Sequence, residues 1–461
     1  MNPGGVSRPE GHHPDHITPY DRFAWSDAEI ERLLATGEHP RELIAYFGER
    51  EYRQLARLAR DAARAPISET SRVFVVPGIM GSQLGFPRQA PLPNDILWLD
   101  PIDIEVGRLA ALRIPGPSPV VALGAVLYSY LRLKLHLRAA GFAAVLYDYD
   151  WRLGIDGLGR AFADRVKAES MDSVMIVAHS MGGLVSRAAL ALPGMEKVAR
   201  LVLLGTPNYG SFAPVQALRG TYAVVRKIAR LVKTSSAESM AADIFNTFPS
   251  LYQMLPVASR QGGPDLLAGA EWPNSDPRPR PELLAQARAV HDCLAPADER
   301  TAVIVGVGEE TVTAVARRND EFVYTVTRHG DGTVPAVSAE LPGARVHYAR
   351  VAHSDLTRDR VVAGAVVDLL RKGFTRRLPT RWAGRSRAEA RISDSQLRHS
   401  HVEKVDWAKL EPEERRVFLQ NLNEPPKLKL RVPATRTAWL RTSALPASKR
   451  QTGKHRAPKR R

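Results

Sequence analysis

The chain of 461 residues has a single cysteine, Cys293. No disulfide can close within it, so a small secreted scaffold held by cross-links is excluded. Long apolar runs are missing too. The longest nearly uncharged stretch, Val120 to Leu131, falls short of the ~20 residues a spanning helix needs, and Arg132 and Lys134 follow it. Residues 1–25 are rich in Gly, Pro and His and lack the apolar core of a secretory signal. These shortages predict a cytoplasmic protein, peripheral to a membrane at most.

Nor does the sequence hold a metal-ligand cluster, a phosphate-cradling glycine loop or a dinucleotide fingerprint. The nearest approach, "GVGEE" at Gly306 to Glu310, lacks the third glycine and a following helix. No metal and no cofactor is expected. Acidic residues are scarce in one region only. Residues 1–370 carry 40 Lys and Arg against 41 Asp and Glu, whereas residues 371–461 carry 25 against 8. The net charge of +16 therefore belongs to the C-terminal fifth. Such a segment is attracted to anionic surfaces, and an anionic membrane is one expected partner. Its aromatics, Phe374, Trp382, Trp407, Phe418 and Trp439, are too few for a stacking surface, so charge alone supports nucleic acid. Oligomeric state is left open.

What is present is a rhythm. Apolar β-branched runs ("RVFVV", "FAAVLYDYD", "SVMIVA", "RLVLLGTP", "TAVIVGVG", "RVHYARV") alternate with segments of helical period between residues 72 and 372. That alternation predicts an α/β fold, a mostly parallel sheet covered by helices on both faces. Residues 207–281 interrupt it with helical segments and a Pro-rich loop, and read as a cap inserted over the sheet. Before it, residues 26–71 read as a helical extension broken at Gly37–Pro40, with Ser26 and Glu29 spaced as a capping box. Residues 1–25 are expected to be unstructured, and residues 373–461 to form a basic, largely disordered tail with one short helix near Pro412 to Leu422.

The chemistry centres on "VMIVAHSMGGLVSRAAL", Val174 to Leu190, which begins as a strand and ends as a helix. Ser180 at the join reads either as a helix cap or as a nucleophile on a G-x-S-x-G elbow, with Ala178 in the first glycine's place. A nucleophilic serine needs a base, a carboxylate to orient it and donors for the oxyanion. Asp331 in "GDGTVP" and His353 in "VAHSDL" follow in the order and at the strand ends that an elbow serine requires. A GDG loop also suits an ordinary turn, and His329 and His347 lie nearby. His347 falls inside a strand, however, and His329 precedes the acid. The expected oxyanion donors are the backbone N–H groups of Met181 and, in "PGIMGS", of Ile79. In the cap, Tyr222, Val225, Ile228 and Leu231 recur at helical spacing, which suits an acyl site or a packing face equally well.

Seven motifs, "VFVVPGIMGSQL", "YDYDWRL", "AHSMGG", "LLGTPNYGS", "FPSLYQMLP", "GDGTVP" and "HSDL", occur in that order between Arg72 and Leu370. In these the chain resembles the lecithin:cholesterol acyltransferase-like serine lipases and acyltransferases, which include lysosomal phospholipase A2 and phospholipid:diacylglycerol acyltransferases. The resemblance implies an α/β-hydrolase fold with a helical cap. It also implies transfer of a fatty acyl group from an ester lipid, phospholipid or acylglycerol, to water or an alcohol through an acyl-serine. It makes Ser180 the nucleophile, Asp331 the acid, His353 the base, and Ile79 and Met181 the oxyanion hole, with Asp150, Trp151 and Arg152 as structural braces. Ala178 departs from the family's glycine, and one cysteine cannot form the lid disulfide of animal members. Outside that class stands a hydrolase-shaped binding module without turnover, whose basic tail engages anionic partners.

Overall fold

A computed structural model describes residues 25–420 apart from 68–70, 91, 234, 385–389 and 400–404. The readings made for residues 1–24 and for the most basic end of the tail, 421–461, fall outside the described residues. Six parallel strands form the central sheet: β1 (Ser71–Val76), β2 (Ala143–Leu146), β3 (Ser173–His179), β4 (Val198–Leu204), β5 (Thr301–Gly306) and β6 (Arg345–Ala349). Their spatial order is β6-β5-β4-β3-β1-β2. The interior strands are almost continuously apolar because both of their faces are covered.

Alternate residues of β1 show the two layers. Val73 and Val75 enter a cluster with Leu133 and Leu137 of the helix Leu127–Ala139 and with Val362, Val366 and Leu369 of the helix Arg360–Lys372. Phe74 faces the other way, edge-on to Phe162 at 5.6 Å in the helix Ile155–Lys167. Strand order reverses at β1, since β2 lies on one side of it and β3 on the other. A doubly wound sheet opens a crevice at the carboxyl ends of the strands flanking such a reversal. The loop after β1 and the turn after β3 both end there.

The connection from β4 to β5 holds residues 207–281 and is helical, with Ala213–Leu218, Ala223–Leu231, Ala237–Asp243 and Pro249–Gln253 among its elements. The N-terminal helices Asp27–Thr36, Pro40–Phe47 and Glu49–Arg64 bury Leu33, Leu34 and Phe47 against Leu127, Leu131 and Leu135. Gly37, at φ 82°, ends the first helix, and Pro40 starts the second. Ser26 accepts the Glu29 N–H at 3.2 Å, but the Glu29 carboxylate turns to Arg32, so only one arm of the capping box forms. Lys134, nearly inaccessible, lies 3.0 Å from Asp27 and 2.9 Å from Glu31, which fixes the Leu127–Ala139 helix to this extension.

The disordered-tail expectation is corrected for part of its span. Ala390–Ser393 adds a third antiparallel strand to the hairpin of Thr311–Arg318 and Glu321–Thr327. Asp394, fully buried, meets Arg219 Nε at 3.0 Å and accepts the Tyr324 hydroxyl at 2.8 Å. Arg219, equally buried, also donates to the carbonyls of Ser275 at 2.5 Å and Pro277 at 2.6 Å. Composition misjudged this segment because its anchors are ladder hydrogen bonds and ion pairs, Arg219 with Asp394 foremost, not a run of apolar residues. The later helix, Pro412–Gln420, touches Pro40–Phe47 through Arg416, which donates to the Phe47 carbonyl at 3.4 Å.

Candidate active site

β3 delivers Ser180 to a turn at φ 53° and ψ −127°, directly before the helix Met181–Leu190. A non-glycine residue at positive φ is strained, and the surroundings must hold it there. They do so by close approach. A side chain on Gly182 would collide with the carbonyl oxygens of Val76 and Pro77, so only glycine lets the helix start against β1. Ser180 makes no side-chain cap bond to this helix, which removes the capping reading. Its Oγ lies 2.9 Å from His353 Nε2 instead.

His353 Nδ1 lies 2.7 Å from Asp331 Oδ2. Because a carboxylate only accepts, Nδ1 carries the hydrogen and Nε2 is free to accept from the serine hydroxyl. Asp331 is itself fixed, its Oδ1 accepting the backbone N–H of Thr333 at 3.0 Å and of Val334 at 2.7 Å. The GDG turn therefore orients a carboxylate that is almost inaccessible to solvent. Of the competing histidines, His329 is exposed and His347 is buried in β6, and neither bonds Ser180.

The "PGIMGS" loop after β1 is fastened along its backbone. The Pro77 carbonyl accepts the Tyr149 hydroxyl at 2.7 Å, and the Met80 carbonyl accepts the Trp98 Nε1–H at 3.0 Å. The Gly78 N–H donates to the Tyr130 hydroxyl at 2.8 Å, and the Gly78 carbonyl accepts the Gly81 N–H at 3.0 Å. Among the described residues no group accepts the Ile79 N–H. Met181 is the first residue of its helix, so its N–H has no acceptor within the helix, and that end carries the positive side of the helix dipole. Trp151 donates to the Ser82 carbonyl at 3.0 Å, while Arg152 pairs with Asp150 at 2.6 Å and donates to the Leu112 carbonyl at 2.7 Å, so "YDYDWRL" braces this loop.

Ser180 and His353 stand in a cleft of about 830 Å³, counted with its open mouth, whose walls are largely apolar. Ile79, Pro207, Leu251, Met254 and Val334 line it. Of the residues in 207–281 singled out by spacing, Tyr222 lines the cleft, whereas Val225, Ile228 and Leu231 are buried without reaching it. Val224 does reach it. The helix begins at Ala223, with Tyr222 extended before it at ψ 133°, so a phase counted from Tyr222 selects the packing side.

Two residues of the site escaped the sequence reading. Tyr130, from the first turn of an unremarkable helix, and His179, beside Ser180, are both buried and bonded to each other at 3.0 Å. Burial, and then the neighbouring His353, pull the His179 imidazole down to about 3, so it is neutral at ordinary pH. No periodicity distinguishes either residue. The only local sign was a histidine next to the elbow serine.

Residues 155–312 match the family described as the PGAP1-like alpha/beta domain. Together with the reversal at β1 and the serine elbow after β3, this decides the architecture. The chain has an α/β-hydrolase fold. The likeness to lecithin:cholesterol acyltransferases rests on its motifs alone. No curated protein sequence matches. Among solved structures, the Tle4–Tli4 complex is 14% identical with a TM-score of 0.43, over 66% of this chain and 97% of that one. Bacillus licheniformis lipase BlEst2 in its propeptide form is 13% identical with a TM-score of 0.37, over 67% of this α/β-hydrolase chain and 51% of that one. Phospholipase PlaB from Legionella pneumophila is 11% identical with a TM-score of 0.34, over 67% and 61%. Among the described residues of this hydrolase fold, no helix is long and apolar enough to cross a membrane.

Proposed function

We propose that the protein is a serine acyl hydrolase or O-acyltransferase that takes its acyl group from an ester lipid. The observation that carries this reading is the bond from Ser180 Oγ to His353 Nε2, with Asp331 behind the imidazole and an apolar cleft in front. As Oγ attacks the ester carbonyl carbon, its proton passes to His353 Nε2 and the carbonyl electron pair moves onto oxygen. The Ile79 and Met181 N–H groups then serve that oxyanion, a role worth about 10²–10³ in rate for each donor. Collapse breaks the ester C–O bond, the departing alcohol takes the proton from the imidazolium, and an acyl-Ser180 remains. Asp331 stays ionised throughout and stabilises the imidazolium. Water, or an alcohol such as a lipid hydroxyl, repeats the steps in reverse and releases the acyl group.

The cleft walls favour a hydrocarbon chain over a polar acid as the acyl part. Labelling with a fluorophosphonate tests the reading, with the expected adduct on Ser180 of the full chain and none after Ser180→Ala. A chain that binds lipid without labelling or turnover would establish the binding-module alternative. Product analysis on mixed phospholipid and acylglycerol vesicles, with and without an alcohol acceptor, separates hydrolysis from transfer and identifies the lipid.

A further inference from the structure

Tyr130 and His179 link the loop after β1 to the backbone of His353. The Gly78 N–H donates to the Tyr130 hydroxyl at 2.8 Å, and that hydroxyl lies 3.0 Å from His179 Nδ1. His179 Nε2 lies 3.0 Å from the His353 carbonyl oxygen. With the His179 imidazole neutral, only one arrangement of hydrogens satisfies all three bonds. A carbonyl oxygen only accepts, so His179 Nε2 carries the hydrogen and Nδ1 is bare. Tyr130 must therefore donate its own hydrogen to Nδ1 while accepting from Gly78. The network has one direction, and every member is satisfied.

We infer that Tyr130 and His179 are positioning residues that hold the oxyanion loop and the base His353 as one rigid unit. The inference rests on the acyl-serine reading above. At one end, Tyr130 fixes the peptide before Gly78, and Gly81 holds the Gly78 carbonyl. In a planar trans peptide the Ile79 N–H points opposite to that carbonyl, so its direction is set by these two bonds. At the other end, the His353 backbone is held on both sides, its N–H by the Asp331 carbonyl at 2.8 Å and its own carbonyl by His179. The glycines of "PGIMG" make the link possible. A side chain on Gly78 would lie 2.8 Å from Ser180 Cβ, and one on Gly81 would lie 2.8 Å from the Tyr130 hydroxyl. The neutrality of His179 matters as well, because its ring centre is 4.7 Å from that of His353. A charge there would oppose the imidazolium that the reaction forms.

The experiment compares the full-length chain with Tyr130→Phe on a short soluble ester. Removing one hydroxyl is expected to lower kcat about tenfold or more with KM within about twofold, since the loop acts on the oxyanion and not on the bound ester. Affinity for a trifluoromethyl ketone, which forms an oxyanion on Ser180, should fall in parallel, while affinity for an uncharged amide analogue stays the same. A kcat within about twofold of the parent, or a KM that changes as much as kcat, would overturn the relay. A second pair guards against a folding defect in Tyr130→Phe. His179→Gln keeps an N–H for the His353 carbonyl and should retain most of the activity, whereas His179→Leu should lose at least tenfold more than Gln. Equal activity in those two variants also rejects the relay. Turnover surviving in Ser180→Ala would instead reject the acyl-serine reading itself, so the two failures are distinguishable.

Discussion

Asp331 holds His353 at two points, its Oδ2 accepting the imidazole Nδ1–H at 2.7 Å and its backbone carbonyl accepting the His353 N–H at 2.8 Å. The side chain and the main chain of Asp331 thus act on the side chain and the main chain of His353. Ring orientation and tautomer are both set by a residue that is itself tied to Thr333 and Val334.

Asp331→Asn should separate these roles. An amide oxygen can still accept from Thr333 and Val334, but its N–H₂ reverses the His353 tautomer, and kcat is expected to fall by about 10⁴. Asp331→Ala should lose activity and also about 1–3 kcal/mol of stability, by leaving the Thr333 and Val334 N–H groups, the second of them buried, unpaired. Steady-state kinetics on a soluble ester and urea unfolding measure the two effects. Asparagine retaining a tenth of the parent rate would refute the assignment.

Within residues 207–281, neighbouring positions should respond differently. Val224→Phe fills the cleft and is expected to impair long-chain esters at least tenfold more than short ones, with little change in melting. Leu231→Ala opens a cavity away from the cleft and should cost about 2–5 kcal/mol while leaving chain-length preference intact. Chain-length series with thermal melts check both.

The pairing of Arg219 with Asp394 predicts that residues 390–399 belong to the folded body. Asp394→Ala leaves a fully buried guanidinium without its carboxylate and should cost about 3–5 kcal/mol. Ending the chain at residue 384 should destabilise it at least as much. A melting temperature unchanged by either alteration would place this segment outside the cooperative fold.

Acid should destabilise the protein through His179 and the half-buried His291. Burial, with His353 next to it, lowers His179 to about 3, and burial, with Arg187 next to it, lowers His291 to about 4. Unfolded histidine takes up its proton near pH 6.5, so below that pH the unfolded chain binds more protons than the native one. Their stabilising contribution is therefore complete above about pH 6.5 and is lost progressively as pH falls toward 3 to 4, by several kcal/mol in total. Unfolding free energies measured from pH 7 to 4 should show this slope, and His179→Gln should flatten it. An unchanged slope in that variant would show that another group titrates.

Residues 421–461 carry 12 Lys and Arg against one acidic residue, which is most of the basic excess. We propose that they draw the enzyme to anionic lipid, at about 1 kcal/mol for each basic residue near the surface. Co-sedimentation with phosphatidylserine vesicles should fall when the chain ends at Gln420 and should weaken with salt over the Debye range of about 8–10 Å. Equal binding by both chains, or a preference for nucleic acid over vesicles, would reject the membrane role.

The amino-acid sequence determined by itself the features that are local in the chain. Apolar runs of strand length, the elbow with its obligatory Gly182, and the order serine, acid, histidine are all encoded within short windows. Each therefore left a pattern. Tertiary structure alone decided which distant groups share a hydrogen bond or a wall. Tyr130 reaches Gly78 and His179 across 52 and 49 residues, and Asp394 reaches Arg219 across 175. A single polar contact made between remote segments leaves no period and little trace in composition. The same reason explains residues 207–281, where Val224 and Val225 are adjacent and both apolar. Only the point at which the helix begins, and the side from which this segment meets the sheet, turns one toward the cleft and the other into the packing.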